Sequence, residues 1–215
     1  MGTHVALGGF EEERKVCDLL NTLFPEKRFR VLGGRGKTDV ASEDNKLRFQ
    51  VKRYQPKQFQ QIDRRWLDNL LEGLPDLKPF KNILSDLIEC DRTEVKKMTL
   101  ENYDKENLED FIRVFNANRI KFVERMFLGD DPNGSPNFII CSNYVDRKLF
   151  VYKMKDVIGY ACSFEFFYTD TVIKNKLLTV QRKGGDSGKP SGRQVQIKLN
   201  TWLLENAVNN CVIQV

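Results

Sequence analysis

An α/β or α+β domain with a central mixed β-sheet flanked by helices is the fold class that this sequence predicts. Three patterns lead there. Apolar Phe10, Val16, Leu19, Leu20 and Leu23 recur at helical spacing near the N-terminus. Leu47, Phe49 and Val51 alternate with Arg48, Gln50 and Lys52, and Val195, Ile197 and Leu199 alternate with Gln194, Gln196 and Lys198, the period-2 signature of strands. The chain carries no repeat and no low-complexity linker, and its 215 residues suit one core, so a single domain over residues 1–215 is expected.

The elements follow in order. A first helix is expected over residues 10–24, with Glu11, Glu12 and Glu13 at its start, where the helix dipole favours acids. His4 precedes it in a short, loosely ordered leader of Gly, Thr and Ala. Short strands are expected at 28–32, 38–42 and 47–54. Residues 59–72 and 80–90 read as helices, broken by Pro75 and Pro79. Residues 104–115 read as another amphipathic helix, continued over 118–127, and Gly129 to Pro136 reads as a loop. Strands then dominate, at 137–142, 148–152, 176–183 and 193–199, with a helix near 153–159. Trp66 is expected in the core, as is the aromatic cluster Phe164, Phe166, Phe167 and Tyr168.

Composition narrows the chemistry. Lys and Arg outnumber Asp and Glu by 35 to 30, a mild basicity compatible with a polyanionic partner if the charge is clustered. Cys17, Cys90, Cys141, Cys162 and Cys211 show no CxxC spacing and read as reduced packing residues, not zinc ligands. No apolar run approaches a membrane span and no signal-peptide pattern opens the chain, so a cytoplasmic protein with no membrane partner is expected. The single histidine, His4, excludes catalysis built on histidine pairs, zinc-histidine centres or a Ser-His-Asp triad. A hydrolase here must use carboxylates, lysine and a metal.

The stretch from Gly33 to Tyr54 meets that requirement. It reads as a β-hairpin in which the turn residues Ser42-Glu43-Asp44-Asn45 bring Asp39 back alongside Gln50 and Lys52. Alternation puts Gln50 and Lys52 on one polar, open face. A carboxylate and an amide oxygen held together suit a hard cation such as Mg²⁺, and a lysine one pleat along can reach a phosphate and its attacking water. The same pattern also describes a half-buried amphipathic strand with a solvated polar face.

The hairpin resembles the core of the PD-(D/E)xK nuclease superfamily, in the variant where glutamine replaces the second acid. Further segments resemble the small type II restriction endonucleases of that superfamily that cut GCGC. These are Gly9-Phe10 with Glu13, Phe49-Gln50-Val51-Lys52, Gln61-Ile62-Asp63 with Trp66-Leu67, and the run Thr179-Val180-Gln181-Arg182-Lys183-Gly184-Gly185-Asp186-Ser187-Gly188, all in matching order. The chain departs from the pattern at Arg53-Tyr54 and at Pro190-Ser191-Gly192-Arg193, which bears on the DNA target more than on the chemistry. The resemblance implies a restriction-endonuclease-like fold and Mg²⁺-dependent hydrolysis of double-stranded DNA at a short G·C-rich palindrome.

In that frame Asp39 is the anionic metal ligand, Gln50 a neutral one, and the Val51 carbonyl a third. Glu13, on a helix that the family packs against the hairpin, restores charge, and Lys52 stabilises the reacting phosphate and its water. A second hairpin, Lys176 to Leu199, places Gln194, Gln196 and Lys198 on one face. Its glycine-rich crossover, with Asp186 and Ser187, permits close approach to a groove. Arginine matches guanine, glutamine matches adenine and an acid accepts from cytosine, so Gln181, Arg182, Lys183 and Asp186 form a candidate reader of G·C pairs. The resemblance puts Gln61 close to the duplex. The expected partners are double-stranded DNA and, genetically, a cognate methyltransferase, with the protein a monomer or dimer. The alternatives are a repair or junction-resolving nuclease of the same superfamily and a catalytically decayed DNA-binding module.

Overall fold

The computed structural model describes residues 2–33, 36–54, 56–89, 103–143, 148–169, 172–182, 194–205 and 207–214. The chain divides into two compact units, one of residues 1–60, 127–160 and 200–215, the other of residues 61–126 and 161–199.

The first unit is built on a six-stranded mixed sheet. Its strands, in spatial order, are β1 (Phe29–Val31), β2 (Val40–Ser42), β3 (Arg48–Arg53), β5 (Phe138–Asn143), β6 (Lys148–Lys153) and β11 (Asn210–Gln214). Only the β3–β5 pair is parallel, with Lys52 opposite Cys141 and Arg53 opposite Ser142. Helix α1 (Gly2–Leu23) sends Val16, Cys17 and Leu20 into a core with Phe29, Val40, Phe49, Val51, Ile140 and Leu149. The turn between β2 and β3 is closed locally. Ser42 Oγ donates to Asp44 Oδ1 at 2.6 Å, the Leu47 N–H donates to Ser42 Oγ at 3.0 Å, and Asn45 takes the left-handed conformation at φ 54°.

The second unit carries a five-stranded sheet in the order β4 (Gln60–Arg65), β10 (Val195–Leu199), β9 (Leu178–Arg182), β8 (Val172–Lys174), β7 (Phe167–Thr169). Its helices are α2 (Leu67–Gly73), α3 (Lys81–Glu89), α4 (Lys105–Ala117) and α5 (Arg119–Leu128), the last of which ends just beyond the unit. Phe115 packs at its centre, with ring centroids of Phe122 and Phe166 each 5.0 Å away and Phe111 at 6.0 Å. Asn116 ties this cluster to the chain by donating to the Phe166 carbonyl at 2.9 Å and accepting from its N–H at 2.7 Å.

Mixed α/β architecture with sheets flanked by helices therefore stands, but as two sheets instead of one. Several elements also differ from expectation. Helix α1 begins at Gly2, so His4 belongs to the helix and the three glutamates sit in its middle, not in its first turn. Residues 60–65 form a strand, not the start of a helix. On that strand the Asp63 and Arg65 side chains pair at 2.6 Å, both nearly buried. An i, i+2 pair shares a face on a strand and not on a helix. The helix over 104–127 breaks at Asn118 (φ −96°, ψ 6°) into α4 and α5. Trp66 and Phe167 are 44% and 50% exposed, outside the core, whereas Phe166 is buried as expected. Strands β7, β8 and β11 are too short or too near the chain end for their patterns to stand out.

Candidate functional site

The site in the first unit starts from a strand that loses its neighbour. Strands β2 and β3 pair only through Val40–Phe49 and Ala41–Arg48. At Asp39 the backbone still bonds to Phe49, its N–H donating to the Phe49 carbonyl at 2.8 Å. One residue pair further the ladder stops, and the Asp39 carboxylate takes over by accepting the Val51 N–H at 2.7 Å. A backbone donor that would otherwise be left without a strand partner thus fixes the carboxylate. Lys52 Nζ lies 3.9 Å from the same oxygen, with both side chains largely buried at 17% and 20% exposure.

A loop braces the approach to Asp39. Thr38 Oγ1 donates to the Gly134 carbonyl at 2.7 Å. Gly129 sits at φ +81°, and a Cβ there would lie 2.9 Å from Lys37 Cγ. Only glycine meets both demands without strain.

Gln50 and Lys52 share one face of β3, as alternation predicted, but that face is not open. Gln50 is 3% exposed, and its row continues through the fully buried Ile139 and Tyr152. Val51, on the opposite face, is buried as well, so β3 is covered on both sides at this point. Cys141, opposite Lys52, is likewise buried, and burial pushes its thiol up to about 12. The four described cysteines form no disulfide, but only Cys17 and Cys141 are buried and Cys211 is exposed.

Glu13 completes the charged group. Burial foremost, and then the Asp39 charge, push its carboxyl up to about 7, against the pull of Lys52. Its Oε2 is buried and has no hydrogen-bond partner among the described residues. Burial also raises the Asp39 carboxyl above its ordinary value, opposed by Lys52, the Val51 N–H and Lys37. Two carboxylates whose pKa values are both raised gain from a cation between them. No three His, Cys, Asp or Glu side chains group around a common point among the described residues. A metal would therefore depend on two carboxylates plus the amide oxygen of Gln50 and the Val51 carbonyl. Such a set is all oxygen, and with the unpartnered Glu13 oxygen it fits a hard divalent ion.

Three residues beside this group had no assigned role in the sequence. Glu12, 4% exposed on α1, accepts from Arg53 Nε at 3.0 Å and from the Ser142 hydroxyl. The only signal was the run Glu11-Glu12-Glu13, in which periodicity places one residue inward.

The candidate DNA readers fall in the second unit. Gln196 lies opposite Gln181 across the β9–β10 ladder, and its Nε2 donates to Gln61 Oε1 at 2.6 Å. Directly opposed residues point to the same side, so Gln61, Gln196 and Gln181 form a row across three adjacent strands. Gln194 is half-buried at the entry to β10, and Arg182 pairs in register with Val195. Lys183, Asp186 and Ser187 lie outside the described residues. No helix of the described residues is long and apolar enough to cross a membrane. No protein-family model matches the chain and no curated protein matches it, so the residues themselves carry the functional reading.

Proposed function

We propose that this protein is a Mg²⁺-dependent endonuclease of the PD-(D/E)xK type that hydrolyses double-stranded DNA at a short G·C-rich palindrome, GCGC being the target implied by its sequence resemblance. The observation that carries the reading is the joint placement of Asp39, Lys52 and Glu13: a carboxylate fixed by the Val51 N–H, an ammonium 3.9 Å from it, and a second carboxyl with a buried unpartnered oxygen. A six-stranded mixed sheet with one parallel pair at the catalytic strand is compatible with a restriction-endonuclease-like fold.

Asp39, Glu13, Gln50 and the Val51 carbonyl would hold the ion, which supplies Lewis-acid neutralisation of phosphate charge when bound. The chain's own residues do the rest. Lys52 offers a fixed positive charge where negative charge grows on the phosphorus, and it can hydrogen-bond the attacking water. Its neighbour Asp39 holds that ammonium in place, and the buried Gln50 row limits bulk water on the face of the strand that carries Lys52. Water attacks phosphorus, the P–O3′ bond breaks, and 5′-phosphate and 3′-hydroxyl ends result. The glutamine row Gln61, Gln196 and Gln181, with Arg182, Lys183, Gln194, Asp186 and Ser187, is the proposed base-reading and DNA-contacting set.

Incubating the protein with plasmid DNA and Mg²⁺, with EDTA as control, and sequencing the fragment ends tests this directly. Mg²⁺-dependent cuts at one recurring G·C-rich site are expected. Undiminished cutting in EDTA, or no cutting with any divalent ion, refutes it.

A further inference from the structure

We propose that Glu12, Arg53 and Ser142 form a positioning clamp that locks helix α1 to strands β3 and β5, and so keeps Glu13 beside Asp39 and Lys52. This role rests on the nuclease reading above. Two of the clamp residues are chain neighbours of site residues, and the third lies across the ladder from one of those two. Glu12 precedes Glu13, Arg53 follows Lys52, and Ser142 faces Arg53 across the parallel ladder.

The clamp spends both oxygens of one buried carboxylate. Arg53 Nε donates to Glu12 Oε2 at 3.0 Å, and the Ser142 hydroxyl donates to Oε1. The same hydroxyl lies 3.3 Å from the Lys52 carbonyl. The surrounding backbone is tied as well: the Thr201 hydroxyl donates to the Arg53 carbonyl at 3.1 Å, and the Tyr54 N–H donates to the Ser142 carbonyl at 2.8 Å.

Adhesion alone does not call for this arrangement. Val16, Cys17 and Leu20 already seat α1 on the sheet, and an apolar side chain at position 12 would avoid burying a charge. What apolar packing does not fix well is rotation and sliding of the helix. A helix turns roughly 100° per residue, so a small rotation would swing Glu13 away from Asp39. A carboxylate held from two strands removes that freedom. Polar groups kept inside a core are best attested in such register-fixing roles.

The test uses the full chain with Glu12→Gln, Arg53→Gln, their double variant, Arg53→Lys and the milder Ser142→Ala. Three quantities are read: single-turnover cleavage at saturating DNA with Mg²⁺, DNA affinity without Mg²⁺, and Mn²⁺ affinity by electron paramagnetic resonance. Glu12→Gln and Arg53→Gln are each expected to slow cleavage by about 10–100-fold and to weaken Mn²⁺ binding several-fold, with DNA affinity within about twofold of wild type. The double variant is expected to be no slower than the worse single one, because the two act as a unit. Arg53→Lys, which keeps the charge, is expected to recover most of the rate. Ser142→Ala is expected to fall between, and it keeps the test open if a charge variant does not fold. Wild-type rates in Glu12→Gln, or parallel losses in rate and DNA affinity, overturn the clamp while leaving the nuclease reading in place. Wild-type protein that neither cleaves nor binds Mn²⁺ overturns that reading, and the clamp with it.

Discussion

Glu13→Gln isolates the electrostatics of the site without any substrate. The Glu13 carboxyl is raised from 4.5 to about 7, chiefly by burial and then by the Asp39 charge. Because the folded value lies above the unfolded one, the protonated form is the one that folding favours. Its contribution to stability is fully present below pH 4.5 and is lost as pH rises through about 7. The full difference would be worth about 3 kcal/mol. Glu13 is only half-buried, so solvent screening reduces this to about 1–2 kcal/mol. Glutamine mimics the protonated carboxyl at every pH. In metal-free buffer the variant should therefore match wild type near pH 4 and melt about 2–8 °C higher near pH 8. Thermal melts of both proteins across that range, in EDTA, read the difference while other titrations largely cancel. Adding Mg²⁺ at pH 8 should reverse the order, since wild type gains binding energy that the variant cannot match. A difference between the two proteins that stays flat from pH 4 to pH 8 refutes the burial and charge crowding assigned to Glu13.

Three further outcomes are expected. Asp39→Ala or Lys52→Ala should reduce cleavage by about 10²-fold or more while specific DNA binding persists, as rate and gel-shift measurements would show; wild-type rates in either would remove the site. Gln50→Glu should tighten Mg²⁺ binding by adding a negative charge without necessarily raising turnover, and an unchanged or weaker affinity by calorimetry would mean that Gln50 does not face the ion. Phe115→Ala should destabilise the second unit by about 3–5 kcal/mol in urea unfolding, because Phe115 is 1% exposed among three other rings; a loss near zero would contradict that packing.

Local pattern was enough for much of this molecule. Strand β3, its hairpin turn and the β9–β10 ladder follow from alternation and from Asp/Asn turn chemistry, which act over a few residues. Asp39 and Lys52 could be singled out because one strand period and one turn suffice to bring them together. What failed depended on partners far along the chain. Residues 60–65 are a strand because β10, more than 100 residues later, lies beside them; nothing in Gln-Gln-Ile-Asp-Arg-Arg itself demands it. Gln50 belongs to a buried row and not an open one, its neighbours in that row being the fully buried Ile139 of β5 and Tyr152 of β6, about 90 and 100 residues further along the chain. The pairing of Glu12 with Arg53 and Ser142 spans up to 130 residues, and periodicity cannot say which of three adjacent glutamates turns inward. Which residues could do the chemistry is legible from residue identity, because charge and hydrogen-bonding capacity belong to the side chain. Which of them are desolvated and which face one another emerges only in the folded chain, because burial and distance are properties of neighbours brought in from elsewhere.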